Sequence, residues 1–510
     1  MTSPETASSS EKSSSGFQIL IPVLMLLMVF LAASRSPVDS DLWWHLRSGQ
    51  VMTETGRPLV TDVFSYTREG EVWVNHSWLG EVVLYGLYLF GGWTAISAWM
   101  GVMSVMIAVF LWWQTRGSLF VKAGFMLFAS VVCAPLWTPR PQFFSLVLLA
   151  FLVWLVNRWM SRGGRSIWFS LPLFIMWSNL HGGYVTGILY LLAFAAGLLV
   201  DALIETGEAR KELLHKAGIL FISAFGGYLA SAVNPNGYRM WLIPFQTIGV
   251  GILRQFIQEW SSPDFHSVES WPFALFIVLM LFFLSRQRER SSLRHIFPAL
   301  LFILMGLYAR RNMAAAAIAG IGILMDAWNS IRVGDFFMNL VPAGWLDWIN
   351  QYRASQQQLT TAQKKSIHLV FAGLMGLACF VKLAIVGYPG MIGVYEAKHF
   401  PLGAVSFIQK NAPMLEGRLF NSYNWGGYLI WKNPETKVYV DGRTDLFGDE
   451  ILGEWMTITQ AGDGWQDLLD KWDVTRVIIE PNRPLVSALS SDGWVERYRD
   501  TQAVVFDRVE

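Results

Sequence analysis

Cysteine and charge are what this chain has least of. Its two cysteines in 510 residues, Cys133 and Cys379, each sit in an apolar run and suggest no disulfide framework. Charged residues make up only 15% and nearly cancel, leaving a net +1. That balance argues against a nucleic-acid partner, which calls for a basic excess. No G-x-G-x-x-G or Walker pattern occurs, so there is no glycine loop to cradle a nucleotide phosphate. Internal repeats are missing too, and low complexity is confined to the Ser-rich N-terminus.

What fills the space is hydrocarbon. The chain is 53% hydrophobic with 25 Trp and 34 Phe, and its mean hydropathy of +0.37 is too apolar for a soluble chain of this length. Charge-poor stretches recur at residues 17–35, 94–114, 119–137, 142–160, 166–180, 184–203, 217–233, 271–285, 296–309, 312–328 and 366–386, about eleven candidate spans. Backbone polar groups must be satisfied internally in lipid, so these are expected as helices, and no barrel-type alternation appears. Phe17–Ala33 lacks a small-residue cleavage pattern and is expected to stay as the first span.

Lys and Arg sort the loops by side. With residues 1–16 as a disordered cytoplasmic tail, the inner loops are Thr115–Ser118, Arg158–Ser166, Glu208–Lys216, Ser285–His295 and the stretch ending at Lys364–Lys365. The other side receives the loop at residues 36–93 and the segments around Arg140, His181, Asn234–Ser270 and Arg310–Arg311. The expected arrangement is a multi-pass protein of the cell (inner) membrane, spanning at 17–388, with its C-terminal part outside. Residues 389–510 change in kind: helical "PLGAVSFIQKN" and "DGWQDLLDKWD" alternate with strand-like "KVYVDGRTDLFG", "VTRVIIEP" and a final strand pair in "WVERYRDTQAVVFDRV". That alternation predicts a small extracytoplasmic α/β domain.

The outer ionisable groups are few and concentrated. "DSDLWWHLRSG" (Asp39–Gly49) carries Asp39, Asp41, His45 and Arg47; Asp62 and His76 follow in the same loop. Arg140, His181, Asn234, Glu259 and Arg310–Arg311 come later. A carboxylate at the membrane boundary suits a general base acting on an acceptor hydroxyl or amine. Arginines at span ends suit a phosphate leaving group, held by charge-assisted forked hydrogen bonds. Helical spacing of Leu42, Trp44, His45, Val51 and Met52 predicts a short helix lying along the membrane surface.

This layout resembles the first outer loop of the GT-C glycosyltransferase superfamily, polytopic enzymes that use polyprenyl-phosphate sugars, such as protein O-mannosyltransferases and aminoarabinose transferases. Their "D-E-x-x-Y-A-x-x-A-R-x-M" lies over "D-L-W-W-H-L-R-S-G-Q-V-M" here, which places Asp41 at the position of their catalytic or acceptor-orienting aspartate. Leu42 stands where they carry a second acid and His45 where they carry Tyr, and Asp39 is the nearest carboxylate to replace the missing one. A bacterial branch of the superfamily carries "DxWWHL", "NLHGG", "RN" after a late span and "FNxYNWGGYLIW…VYVDGRTDLFG". All four occur here, at Asp41–Leu46, Asn179–Gly183, Arg311–Asn312 and Phe420–Gly448.

The resemblance implies a membrane glycosyltransferase taking sugar from a polyprenyl-phosphate donor to a lipid, glycan or protein acceptor. Asp41, helped by Asp39 or His45, is then the catalytic group; Arg311, Arg310 and Arg140 hold the donor phosphate; and His76, His181, Trp44, Asp441 and Arg443 are candidates to bind sugar or acceptor. No cofactor is expected. Each role has a plainer competitor. Asp41 can cap the surface helix, Trp43–Trp44 can form an interfacial belt, and the arginines can merely end helices. Asp441 and Arg443 can form a salt-bridged turn, while His45, His76 and His181 with Asp41 can hold a divalent metal. From other classes, a transporter or flippase predicts substrate uptake without covalent product, and an envelope-assembly scaffold predicts no cavity beneath Asp41.

Overall fold

The computed structural model describes residues 7–245, 251, 257–286, 292–331, 344, 347, 360–411 and 417–508. Parts of two expected inner loops, residues 287–291 and most of 332–359, lie outside the described residues. The membrane part is built from α1 (Ala7–Ala33), α3 (Trp78–Gln114), α4 (Leu119–Cys133), α5 (Gln142–Arg162), α6 (Ser170–Leu180), α7 (Tyr184–Ile204), α8 (Gly207–Ala230), α9 (Trp271–Arg286), α10 (Leu293–Tyr308), α11 (Met313–Ser330) and α12 (Thr361–Val386). Among the described residues, eight helices are long and apolar enough to cross a membrane: α3, α4, α5, α7, α8, α9, α11 and α12. Shorter apolar stretches, Leu20–Ala33, Ser166–Leu180 and Leu293–Tyr308, occupy the other three expected positions. Helix α12 leaves Leu369, Val370, Phe371, Leu374, Leu377 and Phe380 exposed, a surface suited to lipid rather than water.

Residues 7–16, expected within a cytoplasmic tail, form the first turns of α1. The predicted helix exists as α2 (Leu42–Thr55), but protein covers its tryptophan face. Trp43 and Trp44 are buried, because the C-terminal part covers α2. The Trp43 ring meets Trp93, Phe400 and Tyr428 edge-on at 5.2, 5.6 and 5.1 Å. These two tryptophans join two parts of the molecule instead of forming an interfacial belt. The return segment of the loop enters α3, which breaks at Gly91 and Gly92, so residues before and after the break run in different directions.

The C-terminal part carries a four-stranded sheet of β1 (Arg418–Asn421), β2 (Val474–Ile479), β3 (Val495–Arg499) and β4 (Val504–Asp507), in the order β1-β2-β4-β3. β1 runs parallel to β2, and the β2–β4 and β3–β4 pairs are antiparallel. Around the sheet lie α13 (Pro389–His399), α14 (Leu402–Asn411), α15 (Gly426–Lys432), α16 (Thr444–Thr459), α17 (Trp465–Lys471) and α18 (Pro484–Ser491). Phe420, Val477, Ile479, Val504 and Phe506 form its core with Trp455 and Leu485.

"KVYVDG" is as buried as expected but is not a strand. Val438 makes a single parallel bridge with Ser65, and the next residues bond to a side chain. The Asn421 amide accepts from Tyr439 N and donates to Val440 O, both at 2.8 Å. A side chain that satisfies both backbone groups removes the need for a ladder.

Candidate active site

Asp41 precedes α2, yet its carboxylate makes no capping hydrogen bond. It turns instead to Arg140, which lies just before α5; Asp41 Oδ2 and Arg140 Nη1 are 2.8 Å apart. The Arg140 fork is full. Its Nε and Nη2 donate to Asp39 Oδ1 and Oδ2 at 2.6 and 2.9 Å, and Nη1 also donates to Glu259 Oε1 at 3.2 Å. Asp39 Oδ1 in addition accepts from the Asp41 amide at 2.9 Å. Arg140 was expected on the donor phosphate; in the structure three carboxylates surround its guanidinium.

Three carboxylates around one cation leave an excess of negative charge. Burial, augmented by Asp39 and Glu259 and opposed by Arg140, raises the Asp41 pKa to about 7. Burial alone would lower the pKa of Arg140, but Asp39, Asp41 and Glu259 raise it well above its ordinary value.

Asp41 and Arg140 line a cavity of about 600 Å³, with Glu259 and Gln258 on one side and Tyr423, Asn424, Trp455 and Arg483 of the C-terminal part on another. Burial first, then the nearby Asp41 and Asp441, push the Tyr423 phenol well up, so it stays a neutral hydroxyl at the cavity wall.

The segment carrying Glu259 also reaches the arginine pair. Arg311 donates its amide to Glu259 O at 3.1 Å, and its guanidinium lies 4.2 Å from the centre of the Trp260 ring. Stacking on an indole leaves the in-plane N–H groups of an arginine available to an anion. Arg310 instead pairs with Glu269. Of the three arginines expected on phosphate, Arg311 is the one that no carboxylate engages among the described residues.

The three histidines do not meet at Asp41. His45 Nδ1 lies 3.0 Å from Glu81 Oε1, and Glu81 also accepts from Asn75 at 2.7 Å. His76 Nδ1 is 2.8 Å from Ser77 Oγ, and His181 Nδ1 is 2.8 Å from Ser145 Oγ. The rings of His76 and His181 meet edge-on, 5.5 Å between centres. Burial pushes all three pKa values down; Arg140 adds to the shift at His45, and Arg311 adds to it at His76 and His181. All three are therefore neutral at pH 7. Among the described residues, no three His, Cys, Asp or Glu side chains are arranged to hold a metal ion.

Asp441 and Arg443, expected at an exposed strand end, are fully buried. Arg443 Nη2 contacts Asp441 Oδ2 and Nη1 contacts Asp62 Oδ1, each at 2.6 Å, with no side chain of the three exposed. The guanidinium also faces the Trp73 ring at 4.8 Å. The salt-bridged turn is what forms, and it ties the loop at residues 36–93 to the C-terminal part. Between these two residues, Gly442 presses on the site itself: a Cβ there would collide with Asp41 Oδ1. Trp44 is buried with its ring against His45 and Trp73, leaving little face for a sugar.

Tyr423, Asn424 and Arg483 carry no sequence signal that places them at the cavity, because their approach to Asp41 depends on how the C-terminal part closes over the first loop. Glu81 does carry one: a lone acid within an apolar run is itself a sign of a buried polar network.

With this geometry in place, the class is that of polytopic helical membrane proteins, and solved proteins share the fold. The chain is similar to the archaeal oligosaccharyltransferase AglB from Archaeoglobus fulgidus, solved in complex with an inhibitory peptide and a dolichol-phosphate. The TM-score is 0.58 and the identity 11%, over 91% of this chain and 69% of that one. It is also similar to ArnT from Cupriavidus metallidurans bound to undecaprenyl phosphate, with a TM-score of 0.52 and 12% identity over 96% and 98% of the two chains. No family model matches the chain, and no curated protein matches it by sequence.

Proposed function

We propose that this chain is a glycosyltransferase that moves a hexosyl or pentosyl group from a polyprenyl-phosphate donor to a lipid, glycan or protein acceptor. The reaction takes place on the extracytoplasmic face of the cell (inner) membrane. The observation that carries this reading is Asp41, with a pKa near 7, at the wall of a 600 Å³ cavity and steadied by Arg140. Two proteins of the same fold that were solved with polyprenyl-type phosphates support the donor class.

Asp41 takes the proton of the acceptor hydroxyl as its oxygen bonds to the anomeric carbon. The bond from that carbon to the phosphate oxygen breaks, and polyprenyl phosphate leaves with the electron pair. A single displacement inverts the anomeric centre. Arg311 offsets the charge that develops on the leaving phosphate, while Asp39 and Arg140 keep the base in position. The test is transfer from labelled polyprenyl-phosphate sugars by wild type and Asp41→Asn. Loss of about 10²- to 10⁴-fold is expected for a general base, and full transfer by the variant would overturn the role of Asp41.

A further inference from the structure

A second cavity lies at the other end of the helical bundle. Arg140 stands just before α5 and Arg162 ends that helix, so its 21 residues separate the two sites by about 30 Å at 1.5 Å per residue. This cavity has a volume of about 880 Å³ and is lined by Arg116, Arg158, Arg162 and Arg294 with one carboxylate, Asp326. Behind the lining, Asp201 pairs with Arg294 at 3.9 Å, so the four arginines still outnumber the two carboxylates.

Arginines at helix ends commonly do no more than orient a membrane protein, but this cavity carries further features. Gln114 and Asn157 line it as a hydrogen-bonded pair, in which Gln114 Oε1 accepts from Asn157 at 2.9 Å. Among the described residues, the Gln114 Nε2 donor is then buried without an acceptor, and Arg294 Nε is in the same state. Buried donors without partners are costly and call for an acceptor. Trp113 and Trp154, with ring centres 5.8 Å apart, add an apolar wall, and Arg158 lies over the Trp154 ring at 5.5 Å.

We propose that this cavity binds the phosphate headgroup of an anionic membrane lipid, with the acyl chains leaving past Trp113 and Trp154. A phosphodiester supplies the acceptor oxygens that Gln114 and Arg294 lack. The excess of arginine supplies the charge preference, as in basic pockets between spans that take lipid headgroups. A free anion would use the arginines but not the aromatic wall.

The test reconstitutes the full chain into bilayers containing phosphatidylglycerol, phosphatidylcholine or both, then counts retained lipid after extraction into detergent. Wild type is expected to retain phosphatidylglycerol at least tenfold over phosphatidylcholine, and 10 mM inorganic phosphate should displace little of it. Arg158→Gln/Arg294→Gln should lose that preference about tenfold, and Arg158→Lys/Arg294→Lys should lose less because its charge is kept. Equal retention of both lipids by wild type overturns the site without relying on any variant. Full displacement by inorganic phosphate overturns the lipid assignment in favour of a free anion. An unchanged preference in the Gln variant, at unchanged thermal stability, also overturns the proposal.

Discussion

Two arginines in this molecule are each surrounded by carboxylates, and the same chemistry does opposite work. Around Arg443, the side chains of Asp62 and Asp441 have no exposed surface. Around Arg140, Asp41 keeps 21% of its side chain exposed and Glu259 keeps 29%. Arg443 gathers two carboxylates, aromatic rings and backbone donors into a dry joint. Arg140 gathers three carboxylates at a cavity wall, where one of them holds a proton near neutral pH. A dry cluster of this kind fixes the chain, whereas a half-wet one leaves a group free to act.

The sharpest way to break the comparison is Arg443→Met. Removing one partner of a buried ion pair strands the other, at about 3–5 kcal/mol. The variant is expected to lose most folded protein, read as detergent-extractable yield and Tm. Arg443→Lys should rescue it poorly, since one ammonium cannot span both carboxylates. Asp41→Asn should do the reverse, keeping its yield while transfer falls by the 10²- to 10⁴-fold of a lost general base. In wild type, kcat/KM should decline as pH drops through about 7, where Asp41 takes up its proton. A flat profile from pH 6 to 8 would remove Asp41 as the base.

Only one of these clusters could be seen in the sequence. Periodicity and charge poverty locate the apolar helices because both act over many residues, and Asp39 and Asp41 stand out as acids beside a span. The partners of Arg443 could not be paired, since Asp62 and Asp441 lie far apart in the chain and meet only when the tail closes over the first loop. The same closure buried Trp43 and Trp44 and brought Tyr423 to the cavity. Burial of the "KVYV" segment was legible, but neither the burial of Asp441 and Arg443 nor the route of the chain was, because the Asn421 side chain takes the place of a neighbouring strand.

Gly442 joins the two clusters and tests whether they are coupled. It sits between Asp441 and Arg443, and an added Cβ would meet Asp41 Oδ1. Gly442→Ala must therefore move either the buried joint or the Asp41 carboxylate, and the carboxylate, at the cavity wall, gives way more easily. The expected result is about a tenfold loss of kcat/KM with a smaller fall in Tm than Arg443→Met. A loss of Tm equal to that of Arg443→Met would show the joint yielding first.

The smallest effect separates the clusters by stability rather than rate. Burial raises the Asp41 pKa from 3.8 to about 7, so the folded chain binds this proton more tightly than the unfolded chain does. The resulting stabilisation is full below pH 4 and is lost as pH rises through 7. At pH 8 the fold must carry an ionised Asp41 at a cost, and Asp41→Asn removes that cost while Asp39 and Glu259 still satisfy Arg140. The Tm of the variant should match wild type below pH 4 and exceed it by a few degrees at pH 8, at one scan rate. A difference that does not change with pH would mean that Asp41 holds its proton no more tightly in the folded chain than in the unfolded one.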